Sequence, residues 1–233
     1  MITNKLKILK EKVYRANIKL YKNRLVFGTF GNVSVIGRDS KIVAIKLSGV
    51  DYSELSPKDV ALVDLNGNII DSNINPSSDT KTHLELYKVF GNIGGVAHTY
   101  SRYATAWSQA RKPIPCLGTT HADYFYGDIP CTYIISDKYS SSDYELETGK
   151  LIIDTFKDID YHHIKACLIA SHRPFTWGED AMDVVDVSIF LEEIAYIASL
   201  SILIDPFLIS IKQTIINKHY LRKHGKNTYY GQK

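Results

Sequence analysis

Apolar residues recur over the first two dozen positions at helical intervals. Leu6, Leu9, Val13 and Leu20 share one face and lysines fill the other, which predicts an amphipathic first helix. The period then changes. Residues 33–36 and 41–46 read as strands, and the apolar runs 61–65 and 68–71 flank Asn66-Gly67, two residues that tolerate positive φ. A hairpin is predicted there, so the first third of the chain reads as antiparallel sheet. Ser78 or Asp79 is placed to cap a helix carrying Leu84, Tyr87 and Phe90, after which a strand over 95–100 returns to the sheet and 101–110 is helical. Residues 119–127, dense in polar and aromatic side chains, are expected in a loop or at a strand edge. Further on, 145–156 reads as a helix, 166–171 as a buried strand, and 181–204 as a long helix apolar on nearly all sides. A helix with so little polar face needs neighbours around it, within the fold or from another subunit. The serines at 140–142 read as a surface loop.

The 233 residues, 45% hydrophobic and 23% charged, suit one domain spanning 1–233 with a substantial core. The 28 basic and 25 acidic residues give a formal charge of +3 and are interspersed except over 218–226. Without aromatics clustered on a basic groove, nucleic acid is not expected as a partner, and small anions fit better. Three unpaired cysteines, Cys116, Cys131 and Cys167, argue for a reducing compartment. The polar N-terminal helix does not read as a signal peptide, and the apolar run at 194–204 is too short to span a bilayer, so no membrane partner and a cytoplasmic location are expected.

Candidate chemistry gathers around His98. On a strand over 95–100, His98 and Tyr100 leave the same face, with Asp79 upstream and His172 downstream, and separated segments of this kind assemble metal sites. Each residue also has a plainer reading: Asp79 as a helix cap, His98 as a core histidine, His172 as a loop histidine.

Several segments together resemble the L-ribulose-5-phosphate 4-epimerases of the class II aldolase family. They are Gly31-Asn32-Val33-Ser34, Ser48-Gly49-Val50-Asp51-Tyr52, Pro76-Ser77-Ser78-Asp79-Thr80, the run from Thr119 through His121, Asp123 and Tyr124 to Gly127, and the ending from Lys218 to Gly225 with Tyr229-Tyr230-Gly231-Gln232. The resemblance runs almost end to end. It implies an α/β fold with a central, mainly antiparallel sheet flanked by helices, assembled as a homotetramer with active sites between subunits. The implied reaction interconverts L-ribulose 5-phosphate and D-xylulose 5-phosphate by retro-aldol cleavage and re-addition, with zinc or another divalent cation as cofactor. By the same matching, Asp123 and Tyr230 take the acid/base roles. Gly31, Asn32, Ser48, Gly49, Ser77, Ser78 and His219 bind substrate, and Asp79, His98 and His172 hold the metal. An aspartate at 79, where the related aldolases carry glutamate, favours epimerase over aldolase.

The chain also departs from the pattern. The family writes His-Thr-His where this chain has His98-Thr99-Tyr100, so Tyr100 stands at the position of a histidine ligand. Tyr103 replaces another usual histidine, and Leu47 a proline. Where the family has His-Ser-His-Gly-Pro, this chain reads Ala170-Ser171-His172-Arg173-Pro174. Arg173 would lose access to positive φ if the backbone needs it there, and it adds a cation beside the metal position. These changes motivate two alternatives: a paralogue keeping the sugar-phosphate pocket without turnover, and a class II aldolase.

Overall fold

The computed structural model describes residues 3–71, 75–141, 143–225 and 228. Helix α1 (Asn4–Lys22) buries Val13, Ala16, Asn17 and Leu20, the face predicted by the leucine spacing. Strands β1 (Asn32–Gly37) and β2 (Ile42–Lys46) follow, then β3 (Val60–Asp64) after a short 3-10 turn at Pro57–Asp59. Next come α2 (Thr80–Val89), β4 (Gly95–His98), α3 (Arg102–Ala110), two short helices α4 (Thr119–Ala122) and α5 (Asp137–Ser140), and α6 (Tyr144–Thr155). The chain continues with β5 (Ala166–Leu168), β6 (Pro174–Gly178), α7 (Ala181–Ile204) and α8 (Gln213–His224).

The sheet has the order β3-β2-β1-β4-β6-β5, and every neighbouring pair is antiparallel. Because side chains alternate along a strand, Val43, Val63 and Val96 join the core under α2, α6 and α7, whereas Ala44, Leu62 and Ala97 join the core that α1 covers. The fold is therefore the α/β arrangement with an antiparallel sheet that the sequence led us to expect.

Three local expectations change. The turn at Asn66-Gly67 forms, with Asp64 N–H donating to Asn68 O at 3.0 Å, but 68–71 does not become a strand. Only a Val63–Ile69 bridge forms, because Ile69 and Ile70 are exposed and gain little by pairing. The 119–127 stretch starts with α4 instead of running as a loop. Strand β4 stops at His98, and Tyr100 N–H turns to Leu25 O at 2.7 Å. Helix α7 spans 181–204 as predicted, and its 24 residues are long and apolar enough by length and composition to cross a membrane, where the run 194–204 alone is not. It packs against β6, β4, α1 and α3, which marks its buried part as a core helix; Leu203 and Ile204 at its end are more than 80% exposed.

Candidate functional site

His98 ends β4 and lies buried, its ring stacked on Phe175 of β6 with centroids 4.3 Å apart. The neighbouring Asp79 carboxylate accepts from His98 Nδ1–H at 2.9 Å. That bond places the imidazole proton on Nδ1. It leaves the Nε2 lone pair buried and without a hydrogen-bond partner among the described residues. Asn32 completes the arrangement, its Nδ2 donating to Asp79 Oδ2 at 2.7 Å and to Ser77 Oγ at 2.9 Å. Asp79 stands at the N-cap of α2 yet makes no capping bond, so the capping expectation is corrected: its oxygen is turned to His98 and Asn32 instead. Burial works to raise the Asp79 pKa, but His98, His83 and Asn32 together hold it well below the ordinary carboxylate value.

His172 sits in a tight turn between β5 and β6, in which His172 N–H donates to Ile169 O and Ile169 N–H to Arg173 O. Its ring lies 5.0 Å from that of His98, and Nδ1 is buried without a partner. Burial, with further help from His98 and Arg173, pushes its pKa down to about 4, so the imidazole is neutral at physiological pH. The positive φ in this turn falls on Ser171, at 62°, and not on Arg173. The arginine therefore imposes no backbone strain, and its effect is that of its charge.

Tyr100 has its ring 5.5 Å from that of His98 and touches Phe30 and Phe27. The Arg173 guanidinium lies 3.7 Å from the Tyr100 ring centroid. Burial raises the phenol pKa and Arg173 only partly offsets this, so Tyr100 keeps its proton and is a poor cation ligand. The two imidazoles, each with a nitrogen unpartnered among the described residues, fit a divalent cation. The rest of the implied set does not: Asp79 already holds His98, Tyr100 is protonated, and no group of three His, Cys, Asp or Glu side chains arranged for a metal occurs among the described residues.

Beside this cluster the structure gathers the residues matched to substrate binding. A bridge between Leu47 and Pro76 joins two loops, with Ser48 N–H donating to Asn75 O and Ser77 N–H to Lys46 O. Ser48, Gly49, Ser77 and Ser78 thus lie together, and Asn32 is tied to Ser77. Gly31 has φ 81°, and a Cβ there would meet Val26 Cγ1 at 2.5 Å and His98 O at 2.9 Å, so only glycine lets this loop close onto β4. Under these loops lies Lys46, only 1% exposed, with Nζ donating to Thr29 O and Leu47 O and lying over the Tyr52 ring. Burial lowers its pKa to about 8, against the opposite pull of Asp51 and Asp59. The sequence reading missed Lys46, although a single charge in the run Ile42-Val43-Ala44-Ile45-Lys46-Leu47 is a usable signal. It also missed the buried chain in which Ser34 Oγ meets His83 Nδ1 at 2.7 Å and the Tyr87 hydroxyl at 2.8 Å.

Asp123 and His219 belong to a second cluster. Asp123 follows α4 and faces α8, where Arg222 grips both carboxylate oxygens at 2.9 Å, His219 Nδ1 approaches to 3.1 Å and Lys223 to 3.6 Å. Burial works to raise the Asp123 pKa, but the hydrogen bonds from Arg222 and His219 and the charges of Lys223 and Arg222 outweigh it and hold the pKa below the ordinary carboxylate value. Asp79, His98 and His172 are not among its partners. His162, His163 and His224 are exposed, though His224 Nε2 reaches Asp123 O at 2.9 Å. Tyr230 lies outside the described residues.

The antiparallel sheet of this α/β fold thus brings a carboxylate–imidazole pair, a second imidazole and two joined polar loops together. The profile of the Class II Aldolase and Adducin N-terminal domain matches residues 11–199, and the chain belongs to the class II aldolase and adducin family. Its fold is similar to that of an L-fuculose 1-phosphate aldolase at 22% identity, with 94% of this chain and 96% of that one covered and a TM-score of 0.78. An L-fuculose 1-phosphate aldolase from Glaciozyma antarctica PI12 aligns at 16% identity over 92% and 80% of the two chains, TM-score 0.73. YgbL from Klebsiella pneumoniae, a putative aldolase/epimerase/decarboxylase, aligns at 21% identity over 94% and 99%, TM-score 0.70. At these identities the likeness establishes the fold alone.

Proposed function

We propose that the protein is a cytoplasmic sugar-phosphate epimerase, working as a homotetramer, that interconverts L-ribulose 5-phosphate and D-xylulose 5-phosphate. The observation that carries this reading is the junction of the Ser48–Gly49 and Ser77–Ser78 loops, over the buried Lys46, with the Asp79–His98–His172 cluster. A phosphate suits the loops and the lysine, because hydroxyls and a poorly solvated ammonium gain from a dianion. The sugar end then lies toward the two imidazoles.

In the forward direction the C4 hydroxyl gives up its proton, the C3–C4 bond breaks, and its electrons pass to the C2 carbonyl as an enediolate. The aldehyde fragment, glycolaldehyde phosphate, turns over and is attacked on its other face, and the new alkoxide takes back a proton. Asp123, ionised through Arg222 and His219, suits the accepting role on one face, and Tyr230 is assigned the other. Since Asp123 is tied to α8 and not to His98, the reading has it act in a neighbouring subunit's site. A divalent cation such as zinc would be held by His98 Nε2 and His172 Nδ1, with Asp79 orienting His98 from behind, and would supply Lewis-acid polarisation of the carbonyl.

The Tyr100–Arg173 contact supports a second reading, a paralogue that binds the sugar phosphate without turning it over. The named neighbours add the aldolase alternative. Incubation with L-ribulose 5-phosphate, followed by NMR, separates all three. D-xylulose 5-phosphate is the expected product, accumulating glycolaldehyde phosphate would establish an aldolase, and unchanged substrate would leave the binding paralogue. Asp123→Asn is expected to lower turnover by at least about a hundredfold, in line with the usual contribution of a general base. Full activity in that variant would remove Asp123 from the mechanism.

A further inference from the structure

Arg173 is an unusual group to find at this position. Its guanidinium makes no hydrogen bond or ion pair among the described residues, although it is partly buried beside Tyr100, and it influences His172 and Tyr144 electrostatically. A cation in such a place normally has an anion against it. The one carboxylate of this cluster, Asp79, is committed to His98 and Asn32. The guanidinium rests against the Tyr100 ring, and Phe30 in turn packs on Tyr100. His98 Nε2 and His172 Nδ1, both buried and unpartnered, belong to the same cluster.

We propose that Arg173 is an anion-holding residue at the sugar end of the pocket, so that the site takes a ligand with two anionic groups: a phosphate at the Lys46 end, and a carboxylate or enediolate oxygen against the Arg173 guanidinium. This rests on the sugar-phosphate reading given above and adds to it. The charge that develops on the carbonyl oxygen during retro-aldol cleavage is met by a fixed guanidinium of the chain itself, at the place where the family pattern has a glycine. The contacts run without a break from the loops to the arginine: Ser77 to Asn32, Asn32 to Asp79, Asp79 to His98, His98 to Tyr100, and Tyr100 to Arg173.

The test is calorimetric and requires no turnover. In buffer containing EDTA, the protein is titrated with 4-phosphoerythronate, whose carboxylate falls at the position of the C2 carbonyl when its phosphate occupies that of the substrate, and with erythritol 4-phosphate, in which a neutral hydroxyl group replaces the carboxylate. The wild-type protein is expected to prefer phosphoerythronate by about tenfold or more, the scale of one charge-assisted hydrogen-bonded pair. In Arg173→Gln and Arg173→Gly the preference should fall to about twofold or less, with erythritol 4-phosphate binding unchanged, thermal unfolding having shown that both variants are folded. A wild-type protein without preference, or an Arg173→Gln variant that retains it, overturns the proposal while leaving the phosphate pocket standing. If the wild-type protein binds neither compound, the phosphate pocket itself is wrong, and the role of Arg173 falls with it.

Discussion

A lysine ammonium that is 1% exposed, with two carbonyl oxygens and, among the described residues, no carboxylate within ion-pair reach, has an unfavourable place in the fold. Its pKa of about 8 compares with about 10.4 for a free lysine. Below pH 8 the folded and unfolded chains both carry the proton and the desolvation cost is present in full. Between pH 8 and 10.4 the unfolded chain binds more protons, so stability rises with pH across this window, by up to about 3 kcal/mol from this group. Urea unfolding at pH 7 and pH 10 should show the rise in the wild-type protein and not in Lys46→Met, which is expected to be the more stable of the two at pH 7. Equal pH slopes would contradict the assignment. Tyr100 and Arg173 yield another residue-level prediction: Tyr100→His with Arg173→Gly replaces a protonated phenol and a cation by a neutral imidazole and a void. Zinc content by mass spectrometry should then rise well above the parent's. The identities of Asp79, His98 and His172 were legible from motif order. What Asp79 does was not, because a sequence cannot show whether a carboxylate at a helix start bonds its own backbone or a histidine from another strand.

Among the elements, α6 and α2 pack closely because Gly149 has no side chain: a Cβ there would meet Glu85 Cβ at 2.8 Å and Thr82 Cα at 3.3 Å. Gly149→Ala should therefore destabilise the protein by about 2 kcal/mol, the scale of an overpacked contact, despite the better helix propensity of alanine. A stabilised variant in thermal unfolding would show that α6 can move away without loss. The span of α7 was legible from its apolar residues, and its start is fixed by Asp180, whose carboxylate caps the helix by accepting from Met182 and Asp183 N–H. The strand expected over 166–171 shrank to three residues. Its later half is spent on the turn that carries Ser171 at positive φ, a conformation that a serine codon does not advertise.

For the whole molecule, the exposed side chains of Leu203, Ile204, Phe207 and Ile209, all more than 80% accessible, form an apolar end to α7 and the segment after it. Burying such residues against a copy of the chain would stabilise the proposed tetramer, so Ile204→Asp with Phe207→Asp is expected to shift sedimentation toward smaller species. An unchanged sedimentation coefficient would place the subunit contacts elsewhere. Assembly was the least legible level, since the proposed contacts between copies leave no spacing or period in a single sequence.

The borders of the sheet bear on how copies can meet. On β3, Leu62 N–H donates to Asp71 Oδ1 and Leu62 O accepts from Ile70 N–H, while Asp71 is itself anchored by Lys10. On β5, Leu168 N–H donates to Pro130 O and Leu168 O accepts from Thr132 N–H. Both outer rims are thus sealed by the chain's own flanking segments, and neither offers an open backbone ladder to a stranger. Extended peptides, and other copies of this chain caught partly folded, find no template at these two strands, so in the proposed tetramer recognition between copies would pass through side chains, whose shape and charge can discriminate in a way that a bare amide row cannot.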